Sequence, residues 1–268
     1  MPIFVDSLHD PRLAPYANLK DRDLAREGNR FIAEGEQVVR RLFDSTLQTE
    51  SVLLAERKAE AICPIVPLGT EIFIAPDRVI TQVLGFRFHS GVMACGVRPP
   101  SPMLDELLGP PQLPPKDRKT LVICPNTNNS DNLGSLIRIS AAFGVDGMIL
   151  GEKCCDPYFR HSVRVSMGTV FKQPMTRSSD VASDLKRLQN EWGFELVATV
   201  LSAAAEPLAD ATRRTNTAIL FGGERDGLNE SIIAACDRRI SIPMRRQTDS
   251  LNVAVAAGIF LYHFVDMV

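Results

Sequence analysis

From Thr120 onward the chain alternates short apolar runs with stretches of helical periodicity, and this alternation narrows the possible folds more than any other feature. TLVIC (Thr120–Cys124), GMIL (Gly147–Leu150), FELVATV, TAILFGG ending at Gly223, and ISIP (Ile240–Pro243) read as strands. Between them the spacing predicts helices from about Leu133 to Phe143, over Asp180–Glu191, over Asn229–Cys236, and from Ser250 onward. Gly144 sits where a helix commonly ends in a left-handed residue. Repeated βα units of this length imply an α/β fold: a mostly parallel sheet covered on both faces.

Upstream, a second alternation is shorter and less regular. RFIAEG, SVLLA (Ser51–Ala55), IFIA (Ile72–Ala75) and GVMACGV (Gly91–Val97) read as strands, EQVVRRLF (Glu36–Phe43) as an amphipathic helix, and Pro76 as the start of another. The two series are separated by RPPSPMLDELLGPPQLPPKDRKT, dense in proline at both ends with a short helical interruption at Leu104–Leu108. The expected organisation is therefore a small α/β domain over residues 1–98, a linker over 99–119, and a larger domain over 120–268.

The 268 residues carry a net charge of −2, and neither half departs far from balance, with 14 basic and 16 acidic groups in residues 1–118 and 16 of each in residues 119–268. Bulk charge thus gives no footprint for nucleic acid. A phosphate contact would have to come from local clusters: Arg213-Arg214, Arg238-Arg239 or Arg245-Arg246. No apolar run approaches the roughly 18 residues of a membrane span, and the N-terminus lacks the apolar core of a signal peptide; the expectation is a cytoplasmic protein that does not meet a membrane. The six cysteines show no CxxC spacing and read as reduced, mainly buried thiols. His9, His89, His161 and His263 are scattered, so no metal site is expected.

Three loops that follow strands carry unusual polar density, and in a parallel sheet such loops emerge at one edge and can converge on one ligand. The first, NTNNSDNLGSLIR, contains Asn132, Gly134 and Arg138. Helix capping accounts for one Asn or Asp there, but not for an arginine on an otherwise apolar helix. The second, LFGGERDGLNE, places Gly222 and Gly223 at a strand end, where backbone can approach a ligand closely, with Glu224 directly after; it matches neither GxGxxG nor a P-loop. The third, IPMRRQTDSLNVAVA, opens with Ile242 and Met244 and puts Ser250, Leu251 and Asn252 at the expected start of the last helix, with Ser250 the natural cap.

Taken together and in this order, the loops resemble the SpoU/TrmH family of SPOUT RNA methyltransferases. The family's NxGxxxR is matched by Asn132, Gly134 and Arg138; its GxExxGL from Gly222 or Gly223 through Glu224, Gly227 and Leu228; its IPMxxxxxSLNVAxA by Ile242, Pro243, Met244 and the run from Ser250 to Ala254. The resemblance covers residues 119–268, and NRFIAEGEQVVRRLF with FHSGVMACG is similar to the L30e-like substrate-binding domain that often precedes it. Two places depart: Asn129-Ser130 stand where Asp-Pro is frequent, and Arg246 where glycine is.

The resemblance implies a deep trefoil knot, a homodimer that completes each site, and S-adenosylmethionine bound in the knotted loops. Gly222, Gly223, Ile242, Met244 and Leu251 would hold the cofactor. It also implies methylation of a ribose 2′-hydroxyl in structured RNA, ribosomal RNA being favoured. Arg138, Asn132, Glu224, Ser250 and Asn252 would be the catalytic groups. A guanidinium with a pKa above about 12 is a poor base, so Arg138 is assigned to orienting phosphate and stabilising the developing alkoxide. The alternatives are a tRNA 2′-O-methyltransferase and a non-catalytic RNA-binding protein that kept the fold.

Overall fold

The computed structural model describes residues 1–7, 10–17, 29–84, 89–111, 113, 118–213, 216–246 and 248–265; His9, Arg214 and part of the Pro-rich linker lie outside them. The chain forms two compact units. The first comprises Met1–Pro100 and Asp156–Lys172, the second Ser101–Cys155 and Gln173–Val268.

The first unit is built on five strands, β1 (Ile3–Phe4), β2 (Arg30–Glu34), β3 (Thr49–Ala55), β4 (Glu71–Ala75) and β5 (Val92–Val97), in the order β1-β4-β3-β5-β2. The β1, β4 and β3 strands run parallel, and β5 is antiparallel to both its neighbours. Helices α1 (Glu36–Phe43), α2 (Glu56–Ile62) and α3 (Asp77–Leu84) connect them. Phe31 on β2 is fully buried opposite Gly96 on β5; a side chain at Gly96 would come within 2.4 Å of the Phe31 ring.

That ring also explains why Asp156–Lys172, downstream of the linker, belongs here. Tyr158 and Phe171 stack obliquely on Phe31 with centroids at 5.2 and 5.4 Å. Asp156 pairs with Arg98, and Arg160 with Glu34 at 3.3 Å. An apolar period locates strands and helices, but an aromatic contact across more than a hundred residues leaves no periodic trace, so the linear boundary at residues 99–119 does not capture this excursion.

The second unit contains a seven-stranded sheet: β6 (Thr120–Cys124), β7 (Gly147–Leu150), β8 (Met175–Arg177), β9 (Glu195–Thr199), β10 (Glu206–Pro207), β11 (Thr217–Leu220) and β12 (Arg238–Ser241). The order is β10-β12-β9-β11-β6-β7-β8 and every pairing is parallel, as buried apolar strands joined by helices require. Helices α4 (Leu104–Leu108), α5 (Ser130–Ala142), α6 (Arg160–Val165, in the first unit), α7 (Val181–Trp192), α8 (Glu230–Ala235) and α9 (Val253–Phe264) complete the elements used below. On one face Leu121, Ile123, Leu196 and Leu220 pack on Leu185, Leu188 and Trp192 of α7. Helices α5 and α9 pack against each other, with Phe221 edge-on to Phe260 of α9 at 5.8 Å.

Cap chemistry fixes several ends. Gly144 follows α5 with φ 65°; its N–H donates to Ala141 and that of Val145 to Ser140, the paired bonds of a Schellman ending. Asp180 caps α7 through Ser183 N, and Asn229 caps α8 through Ile232 N.

Four ends differ from the apolar reading. Helix α5 begins at Ser130, three residues before Leu133, because Asn129 accepts from the N–H groups of Asp131 and Asn132. The strand expected to end at Gly223 stops at Leu220, and the last helix starts at Val253, with Asn252 rather than Ser250 as its cap. Strand β12 begins two residues early, at a charged residue. Arg238 is only 9% exposed, held by Glu195 at 3.0 Å and Glu206 at 2.7 Å. It fastens β12 to its neighbours and is unavailable to phosphate, so Arg238 is withdrawn as a nucleic-acid contact, while Arg239 beside it is exposed. All six cysteines are free thiols. Burial raises those of Cys95 and Cys236 to about 12 and shifts Cys124 and Cys154 upward too, which is the opposite of an activated thiolate.

Candidate active site

The carboxyl ends of β9, β11 and β6 lie in adjacent register, Ala198 beside Leu220 and Leu220 beside Ile123, while Thr199 pairs with Ile240 on β12. The loops leaving β9, β11 and β12, with the start of α9, enclose a cavity of about 310 Å³. Its apolar wall includes Leu201, Phe221, Ile242, Met244 and Phe260; its polar wall includes Glu224, Ser250 and Asn252. A second hollow of about 460 Å³ shares Leu201, Ile242 and Met244 and reaches Asp249.

The glycines after β11 are fixed by crowding. A Cβ on Gly222 would lie 2.2 Å from the carbonyl carbon of Gly227 and 2.4 Å from the nitrogen of Leu228, so only hydrogen fits there. Gly223 and Gly227 exchange two backbone hydrogen bonds, 3.2 and 3.0 Å, and Gly227 takes φ 62°. This closes the loop into a small ring beside the cavity. Asn126, in the loop after β6, clamps it: its Oδ1 accepts from Gly223 N at 2.8 Å and its Nδ2 donates to Gly227 O at 3.3 Å. Sequence reasoning passed over Asn126, although it belongs to the polar run NTNNSDN. Its role depends on a partner 97 residues away.

A second amide ties the three loops together. Asn132, buried on the first turn of α5, donates to a carboxylate oxygen of Glu224 and accepts from Asn252 Nδ2 at 2.9 Å. Asn252 Oδ1 in turn accepts from Ala254 N at 2.9 Å. Asn132 therefore sits behind the cavity wall as the connector between two residues that form it. Replacing Asn252 by Ala removes a cap and leaves the buried Asn132 oxygen unpaired. Destabilisation of about 2–3 kcal/mol is expected in urea titration, whereas Asn252→Asp should retain the cap but replace the bond to Asn132 by an unfavourable contact between two acceptor oxygens.

Gly222, Gly223, Ile242, Met244 and Leu251 all line this cavity, as do Glu224, Ser250 and Asn252. Arg138 does not. It lies six residues beyond Asn132 on α5, about 9 Å along the axis, and is exposed, with no hydrogen bond or ion pair among the described residues. No group of three His, Cys, Asp or Glu side chains among the described residues is arranged to hold a metal.

The model of the SpoU rRNA Methylase family matches residues 119–262. An uncharacterized tRNA/rRNA methyltransferase of Mycobacterium bovis is 34% identical over 94% of this chain and 88% of its own length. The 23S rRNA (guanosine-2′-O-)-methyltransferase of Acinetobacter baylyi is 30% identical over 73% of this chain and 78% of its own. The AdoMet-bound rRNA methyltransferase from Sinorhizobium meliloti superposes with a TM-score of 0.82 at 26% identity, covering 98% of this chain and 97% of that one. The two polar loops that line the cavity, and the Asn132 loop bonded to them, fall inside the matched stretch, and the chain belongs to the SpoU rRNA methylase family.

Proposed function

We propose that this protein methylates a ribose 2′-hydroxyl of RNA, with S-adenosylmethionine as the donor and ribosomal RNA as the substrate. The observation that carries the reading is the cavity at the sheet's carboxyl edge, lined by the second and third family loops, both of which bond to the first through Asn132. Its residues suit the cofactor. An apolar wall of Phe221, Ile242 and Met244 accommodates an adenine ring, the backbone around Gly222 and Leu251 offers hydrogen bonds to its edge, and the volume is within the range of small-ligand sites. When bound, S-adenosylmethionine supplies an electrophilic methyl group.

The chain's own tasks are to hold the 2′-hydroxyl in line at about 3 Å, to accept its proton and to stabilise charge on its oxygen. Among the described residues Glu224 is the only carboxylate lining the cavity, and the bond from Asn132 fixes its orientation, which suits it to the proton. Arg138 is assigned to the phosphate and the developing alkoxide. Its position outside the cavity of its own chain supports a site completed by a second copy. The neighbouring α9 offers a surface for one: Val255, Ile259 and Tyr262 form a stripe at helical spacing and are 52%, 40% and 67% exposed. We place the dimer contact there, the trefoil knot in the loops after β11 and β12, and an L30e-like role in RNA binding on the first unit. The names of the Acinetobacter and Sinorhizobium relatives support ribosomal RNA over tRNA.

The decisive experiment combines calorimetric titration with S-adenosylmethionine and mapping of 2′-O-methyl groups in RNA from cells with and without the gene. Micromolar binding and the loss of one ribosomal methyl group are expected. Absence of cofactor binding would favour the non-catalytic RNA-binding alternative, and a lost tRNA methyl group would move the substrate. Ile259→Asp should give a monomer in sedimentation and abolish transfer; a monomeric wild-type protein would remove the dimer from the proposal.

A further inference from the structure

Met244 and Ser250, at either end of the third polar loop, both line the cavity. Within that loop the N–H of Thr248 donates to Arg245 O at 3.2 Å, closing a four-residue turn whose second residue, Arg246, has φ 57°. Turns of this kind normally place Gly, Asn or Asp at that position. An arginine held in the left-handed region is strained relative to glycine. No contact among the described residues offsets that strain. Arg245 and Arg246 are both exposed, and no hydrogen bond or ion pair reaches either guanidinium among the described residues. By contrast, Arg30, Arg187 and Arg238 all sit in ion pairs.

Two adjacent uncompensated guanidinium groups, one on strained backbone, border a cavity whose lining includes neither of them. They face a ligand that extends beyond the cavity rather than one contained in it. Guanidinium groups grip phosphate through paired N–H donors. We propose that Arg246, supported by Arg245, clamps a backbone phosphate of the RNA and so positions the target ribose over the cavity. This rests on the methyltransferase reading and adds a positioning residue to it.

The test compares Arg246→Asn and Arg246→Lys with the wild-type full-length protein. Asparagine tolerates the left-handed backbone and removes the charge; lysine keeps the charge without the planar fork. With protein-free ribosomal RNA from cells lacking the gene, Arg246→Asn should weaken binding about tenfold at 0.15 M salt and reduce the slope of log affinity against log salt by about 0.7–0.9. It should raise KM more than it lowers kcat, leave S-adenosylmethionine affinity unchanged, and melt at or above the wild-type temperature. Arg246→Lys should lie between them. Unchanged RNA affinity and salt slope in Arg246→Asn would overturn the proposal. So would a loss of cofactor affinity instead, or a lowered melting temperature that accounted for the RNA defect. The binding arm is read without catalysis, so a wild-type protein that binds RNA but transfers no methyl group would sink the enzymatic reading while still testing the clamp.

Discussion

Arg138→Ala is expected to lower methyl transfer about a thousandfold while S-adenosylmethionine affinity and melting temperature stay at wild-type values. The magnitude is that of removing one preorganised donor aimed at a developing negative charge, some 10²–10³ in rate, with loss of phosphate orientation added. The selectivity follows from position. Arg138 is exposed on α5, touches no partner among the described residues and is absent from the cavity wall, so its removal leaves both fold and cofactor cavity intact. Single-turnover methylation of ribosomal RNA, paired with calorimetry, separates the two quantities. Transfer at near wild-type rate would show that the arginine has been given the wrong task. Mixing Arg138→Ala with a second inactive variant altered only in the cavity offers a further check. If the second copy supplies Arg138, mixed dimers should regain part of the activity.

Gly222→Ala should act on the other half of the problem. The added methyl would stand 2.2 and 2.4 Å from backbone atoms of Gly227 and Leu228, and backbone cannot swing aside as a side chain can. The ring closed by Gly223 and Gly227 must open, which also strains the Asn126 clamp. A destabilisation of about 1–3 kcal/mol, the usual cost of overpacking, is expected in denaturant titration. Because the same loop forms the cavity wall, cofactor affinity should fall by about a hundredfold or more, by calorimetry. Retained affinity would mean that this ring is not part of the binding surface.

Much of this was legible in the residues. Apolar runs located β3, β6 and β7 almost to the residue, and α1 over Glu36–Phe43 was read with its observed ends. The polar loops named Asn132, Glu224 and Asn252, which the structure links by hydrogen bonds. What escaped depends on contacts distant in sequence. Arg238 was read as a candidate phosphate contact because paired arginines are usually solvated, whereas two acidic partners bury it. Ser250 was read as the cap because hydroxyls commonly serve as one, yet the helix begins after Asn252, whose amide can cap and reach Asn132 at once. The glycine expected in the third loop and the φ of Arg246 describe the same backbone position from two sides.

The excursion of Asp156–Lys172 has a practical consequence for anyone cutting this gene. The polypeptide passes between its two units three times, after Pro100, Cys155 and Lys172, and the stretch matched by the family, 119–262, runs through both. No single cut yields either unit whole. A fragment ending at the Pro-rich stretch would leave Phe31 without Tyr158 and Phe171 and expose an aromatic surface to aggregation. Exchange of the first unit between relatives, as a way to retarget methylation, has to carry the distant seventeen-residue insert along with it.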